Sequence, residues 1–201
     1  MPGLAAALLL LAAAPTPAPE ELSQFAVQKL VERTRGAVLH VVSEPRGTAV
    51  LIGVQGELLA DERLVAKDRL TVEIDGERRE ALLVERDREI GVALLKLPAG
   101  DYPAAVVGSV SLLPPGGALV GLSFDGKGAL RAEVGHFAGL AAAKESPASI
   151  GRLRNDVAGP SGSALFNSKG HLVAIHAGRP RGTLSIDALR ARFASAKGQL
   201  Q

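Results

Sequence analysis

The chemically suggestive part of the chain is a serine set among small residues. Gly159-Pro160-Ser161-Gly162 heads the stretch "GPSGSALFNSKGHLVAIHAG", in which an apolar run (163–166), the turn Asn167-Ser168-Lys169-Gly170 and a second apolar run (171–177) follow the serine. Small neighbours let a backbone turn sharply and present a hydroxyl for attack on an acyl carbon. A serine hydroxyl is a poor nucleophile until a base takes its proton, so such chemistry needs an imidazole within reach and a carboxylate to orient it. The chain has four histidines. His40 falls in the middle of the first expected strand, His171 follows a turn where exposure is expected, and His136 sits in a strand or loop with no nameable partner. His176, in "VAIHAG", either approaches Ser161 or lines and packs against a pocket. Asp156, ahead of the serine, either floors a pocket or is a plain loop carboxylate.

The elements that must position these residues are mostly short strands. "APTPAPEE" (14–21) is a Pro-rich spacer. A helix opens at Pro19-Glu20-Glu21, with Leu22, Phe25, Ala26, Val27 and Leu30 at helical spacing, and stops at Arg35-Gly36. Six β runs follow at 37–43, 48–54, 57–60, 70–74, 79–85 and 90–97, divided by turns such as Pro45-Arg46-Gly47 and Asp75-Gly76. A connector from Pro98 to Gly117 leads to a second series: 118–124, 129–137, a looser stretch at 138–155, then 163–166, 171–177 and 183–186. Residues 187–196 close the chain as an amphipathic helix. Many short strands at regular spacing predict an all-β barrel or sandwich, and two halves of similar strand count predict two barrels.

Composition narrows the function. Of 201 residues, 47% are hydrophobic and only 3% aromatic, so Val, Leu, Ile and Ala must fill the core. The net charge is +2 and no dense basic face is evident, which argues against nucleic acid as a partner. The absence of cysteine rules out disulfides and thiolate metal sites, and no two histidines have zinc-motif spacing, so neither metal nor cofactor is expected. "GLSFDGKG" (121–128) nearly matches a phosphate-binding loop, but Gly128 stands where the Mg²⁺-holding hydroxyl belongs and a strand follows; it reads as a hairpin turn. At the N-terminus "GLAAALLLLAAA" (3–14) has the length and apolarity of a signal-peptide core. No Lys or Arg precedes it, and Pro15 after Ala12-Ala13-Ala14 hinders cleavage, so an uncleaved anchor is the alternative. Either way a secreted or periplasmic location is expected, with no further membrane span.

Five segments together resemble trypsin-like peptidases of the HtrA/Deg type: "LVERTRGAVLHVVSE", "GTAVLIGVQGELLADERLV" (47–65), "DREIGVALLKL" (87–97), the serine stretch itself, and "TLSIDALRARF" (183–193). The resemblance covers most of the chain after the apolar segment. It implies two six-stranded trypsin-like β-barrels with an N-terminal and a C-terminal helix: 1–19 signal peptide and spacer, 20–99 leading helix and first barrel, 100–201 second barrel with the serine loop and terminal helix. It also implies an oxyanion hole from the N–H groups of Gly159 and Ser161, with Pro160 at the position where no donor is needed. The strand carrying Ala174, Ile175, His176, Ala177 and Gly178 is expected to border the substrate cleft.

Carried over residue by residue, the family's catalytic set is incomplete. Its serine falls on Ser161, its histidine on Arg63 and its aspartate on Gly91, while Ser163 replaces a glycine after the nucleophile. Arginine stays protonated and cannot accept the serine proton. Three readings follow. One is a pseudoprotease whose cleft adds an extended peptide or unfolded protein segment. The second is an active endopeptidase with an unusual base such as His176. The third is a scaffold with a vestigial cleft. Peptide-sensing by an appended PDZ domain is not implied.

Overall fold

The computed structural model describes residues 18–141, 151–177 and 182–193. The expected apolar signal segment (3–14), Gly178 and the part of the expected terminal helix beyond Phe193 lie outside these.

Among the described residues, twelve strands form two closed antiparallel barrels of six. The first is built from β1 (Val38–Val41), β2 (Gly47–Leu51), β3 (Glu57–Asp61), β4 (Arg69–Ile74), β5 (Glu77–Asp87) and β6 (Val92–Lys96), in the order β1-β2-β3-β6-β5-β4. The second comprises β7 (Ala118–Phe124), β8 (Leu130–Leu140), β9 (Arg152–Asn155), β10 (Ala164–Asn167), β11 (Leu172–His176) and β12 (Thr183–Ser185), in the matching order β10-β11-β12-β9-β8-β7. Helix α1 (Gln24–Thr34) leads and α2 (Ile186–Arg192) ends the described chain. Helix α1 starts later than the Pro19 opening expected from sequence, because the Ser23 hydroxyl caps it by accepting from the Ala26 N–H at 3.2 Å. Strand β9 falls inside the stretch read as loose.

Strand pleating explains how two barrels share one chain. Successive residues of a strand face opposite sides. In the first barrel Ala49, Leu51, Leu58, Ala60, Ala93 and Leu95 point into its own interior, whereas Val50, Ile52, Leu59, Val92 and Leu94 point out. In the second, Leu119, Leu165 and Val173 point inward, and Val120, Leu122, Ala164, Phe166 and Ile175 point out. The outward sets meet in a third, shared core, closed by Leu30 of α1 and Leu189 and Phe193 at the terminal helix. Both sides of these strands are therefore buried, which is why they read as unbroken apolar runs rather than alternating ones.

Polar ties hold the ends. Helix α1 reaches the second barrel through Arg33, whose guanidinium donates to the Lys169 carbonyl at 2.5 Å. Arg192 of α2 pairs with Glu89 at 3.1 Å and Asp87 at 3.5 Å, bracing the loop before β6. The hairpin after β7 is organised by Asp125, which accepts from the Lys127 and Ala129 N–H groups; the phosphate-loop look-alike is a β-turn.

Candidate functional site

Ser161 sits on a tight turn wedged between the barrels. Gly162, at φ +89°, allows the wedge: a Cβ there would press into the carbonyl oxygen of Thr48 on β2 of the other barrel, besides straining a left-handed backbone. The Gly162 N–H donates to the His176 carbonyl at 2.7 Å. Thr48 is itself fixed, its hydroxyl accepting from the Phe124 N–H at 2.8 Å. Ser163 sutures the loop: its N–H and hydroxyl both donate to the Pro160 carbonyl, at 3.2 and 2.6 Å. The Pro160 oxygen is thereby engaged inside the turn.

The first barrel brings Arg63 to this serine. Strand β3 ends at Asp61, whose carboxylate caps the short 3₁₀ turn Glu62–Leu64 by accepting from the Arg63 N–H at 2.9 Å. The Arg63 side chain folds back on the same carboxylate. Its Nε meets Oδ1 and its Nη2 meets Oδ2, each at 3.0 Å. From that fixed position Nη2 also donates to the Ser161 Oγ at 2.5 Å. The Asp61 side chain is only 2% exposed and the Arg63 side chain 52% exposed, so the carboxylate backs the guanidinium and the guanidinium faces the cleft. The hydrogen bond from Asp61 and its charge hold the Arg63 pKa above its already high ordinary value. A proton cannot be handed to this group.

Gly91 lies against the same turn, its carbonyl accepting from the Glu62 N–H at 3.0 Å. It adopts φ +76° and its own N–H donates to the Asp87 carbonyl. Asp61 pairs across the sheet with Val92, the next residue. A carboxylate missing at Gly91 is thus present on the facing strand, at Asp61. Sequence reading overlooked Asp61. The available signal was an Asp two residues before Arg63 at a strand end, where aspartate caps turns.

The histidines serve elsewhere. His176 shares the cleft with Ser161, but its Nδ1 is hydrogen bonded to the Thr183 hydroxyl at 2.8 Å, and its Nε2 is buried. Burial depresses its pKa, with the Val157 backbone opposing. His136, for which sequence offered no partner, has one: Asp156 accepts from its N–H and stands 3.5 Å from its Nδ1. That N–H, first among several hydrogen bonds, holds the Asp156 carboxyl below its ordinary pKa. His40 stacks on Phe124 at the barrel junction, 5.1 Å between ring centroids. His171 leads into β11 with its N–H on the Asn167 side chain. Among the described strand residues expected to border the cleft, His176 lines it. Strand β11 is paired on both sides, to β10 and β12, so Ala174 and Ile175 are buried and offer no free edge. Ala177 is also buried.

Two cavities flank Ser161. One of about 1020 Å³ is walled by Arg63, residues 153–161, His136, His176 and Thr183. The other, about 710 Å³, lies towards Pro45, Leu64 and Phe124, and Arg63 and Ser161 belong to both. Among the described residues no group of three or more His, Asp or Glu side chains is placed to hold a metal ion.

A family model for the trypsin-like peptidase domain matches residues 39–175, more than half of the chain. The chain belongs to the trypsin-like peptidase family. Solved structures of the same fold include the HtrA-type protease AlgW with decapeptide, at 20% identity and TM-score 0.68, covering 82% of this chain; this chain spans 66% of the AlgW chain. Deg5 aligns at 20% identity and TM-score 0.71 over 88% of this chain and 97% of its own. The inactive form of the Rv3671c protease aligns at 19% identity and TM-score 0.71 over 90% and 98%. No curated protein matches the sequence significantly. Within this trypsin-like domain, then, the serine turn faces an arginine–aspartate pair.

Proposed function

We propose that this trypsin-like domain is an exported pseudoprotease that binds extended peptides in the cleft between its barrels. In this reading Ser161 occupies the nucleophile position, Arg63 the position of the general base and Gly91 that of the orienting aspartate, with the Gly159 and Ser161 N–H groups as the oxyanion hole. The observation that carries it is the 2.5 Å contact from Arg63 Nη2 to Ser161 Oγ, made by a guanidinium clamped on Asp61. Acyl transfer from a serine requires a group that accepts its proton and returns it to the leaving amine. A guanidinium held protonated by a buried carboxylate does neither.

The AlgW structure contains a decapeptide, and the fold likeness supports carrying peptide binding to the cleft here. Residues 156–161, beyond the end of β9, offer it one irregular and mostly exposed wall. Export rests on the apolar segment 3–14. Among the described residues no helix is long and apolar enough to cross a membrane. The rival reading, catalysis by a Ser161–His176 dyad, meets the objection that the Ser161 hydroxyl is engaged by Arg63 while His176 engages Thr183.

Incubation with unfolded casein tests the reading. The expected outcome is no cleavage above a Ser161→Ala control, together with measurable retention of casein-derived peptides by the intact protein. Cleavage that Ser161→Ala and His176→Ala both abolish establishes the dyad instead; absence of both cleavage and retention leaves the scaffold reading.

A further inference from the structure

The same cleft carries a donor set that a mid-chain peptide bond does not use up. Arg63 has five N–H donors. Nε and one N–H of Nη2 go to Asp61, and the second of Nη2 goes to Ser161. Both N–H groups of Nη1 remain without a protein acceptor among the described residues, on a side chain half open to the cleft. In the neighbouring turn, the N–H groups of Gly159 and Ser161 likewise meet no protein acceptor among the described residues. Of the two carbonyls between them, those of Gly159 and Pro160, the Pro160 oxygen is engaged in the loop by the N–H and hydroxyl of Ser163. That oxygen is kept from repelling an anion, while the two N–H groups that would attract one meet no protein acceptor among the described residues. Asp61, the nearest carboxylate, is buried behind the guanidinium and neutralised by it. Of the other acidic groups lining the two cavities, Asp156 is held by His136 and Asp125 is paired with Arg131, and Arg154 adds a second cation to the lining.

We propose that this donor set captures the free C-terminal carboxylate of a bound peptide, one oxygen on the Gly159 and Ser161 N–H groups and the other on Arg63 Nη1. This rests on the peptide-binding reading and narrows its ligand class to chain ends. A peptide carbonyl in mid-chain has one oxygen and no charge; it satisfies the turn and leaves Nη1 without a partner. A terminal carboxylate satisfies both and makes charge-assisted hydrogen bonds, which are roughly twice as strong as neutral ones. The retained serine then acts as a fixed post for Arg63 rather than as a nucleophile. No bond is made or broken.

The test uses the full chain, immobilised, with an equimolar mixture of two randomised decapeptide libraries. One library ends in a free carboxylate and the other in a carboxamide, and retained peptides are quantified by mass spectrometry. Acid-ended peptides are expected to be retained about tenfold or more over amide-ended ones. Arg63→Gln, made together with Asp61→Asn so that no buried charge is left unpaired, is expected to erase that preference. Arg63→Lys, which keeps the charge and leaves a smaller perturbation, is expected to preserve part of it. Equal retention of acid and amide peptides by the unaltered protein overturns the carboxylate proposal while peptide binding stands. Retention of neither overturns the peptide-binding reading itself, and the proposal with it.

Discussion

At the scale of single residues, Arg63 links stability to the fate of the active site. Its guanidinium neutralises a carboxylate that is almost wholly buried and that also caps the turn carrying Arg63. Arg63→Ala leaves Asp61 buried and unpaired, which is expected to lower stability by about 1–3 kcal/mol in urea unfolding, with part of the loss recovered by adding Asp61→Asn. Gly91 has a left-handed backbone at φ +76°, so Gly91→Asp is expected to strain the loop before β6. His176 gives a pH signature. Burial sets its folded pKa below that of the unfolded chain, so between the two values the unfolded state holds more protons and stability rises with pH. The contribution is full above the unfolded histidine value of ~6.5 and is lost as pH falls from there through the lower folded value. The drop in urea midpoint between neutral and mildly acidic pH is expected to be smaller in His176→Asn than in the unaltered protein. An identical drop in both places the effect on the other histidines.

At the scale of elements, the serine turn and β2 lock the barrels together. Gly162→Ala is expected to destabilise by about 2 kcal/mol or more, since its Cβ meets backbone at Thr48 and its φ is left-handed. Thermal unfolding measures it; an unchanged midpoint would contradict the wedge. Most elements were legible in the sequence. The run 118–124 became β7 at both ends, because turn residues bracket a continuous apolar stretch. Strand β9 was not legible: Arg152-Leu153-Arg154-Asn155 has one buried side chain and is a strand only because β8 and β12 pair with it. The start of α1 was misplaced because Pro19 and the acidic pair after it imitate a helix opening, whereas Ser23 supplies the cap. At the site, Ser161 could be read from local pattern and Arg63 from the family resemblance. Asp61 could not, because its role depends on how Arg63 folds back over the strand end. The burial of Ala174 and Ile175 depended on β12, a short strand whose pairing closes the edge.

At the scale of the whole molecule, the shared core fixes one barrel's Arg63 against the other's Ser161. Outward residues of both barrels and both helices meet in it, so the contact at the junction is held by the packing of the entire domain rather than by a mobile loop. In the proposed reading, an arginine placed on the serine by this packing keeps a base from taking the serine proton. The most direct measurement is labelling by a fluorophosphonate probe, which reacts covalently with a serine only when a base raises its nucleophilicity. The unaltered protein is predicted to label no more than Ser161→Ala. Strong labelling of Ser161, abolished by His176→Ala, would contradict the account and make the domain an active Ser–His enzyme.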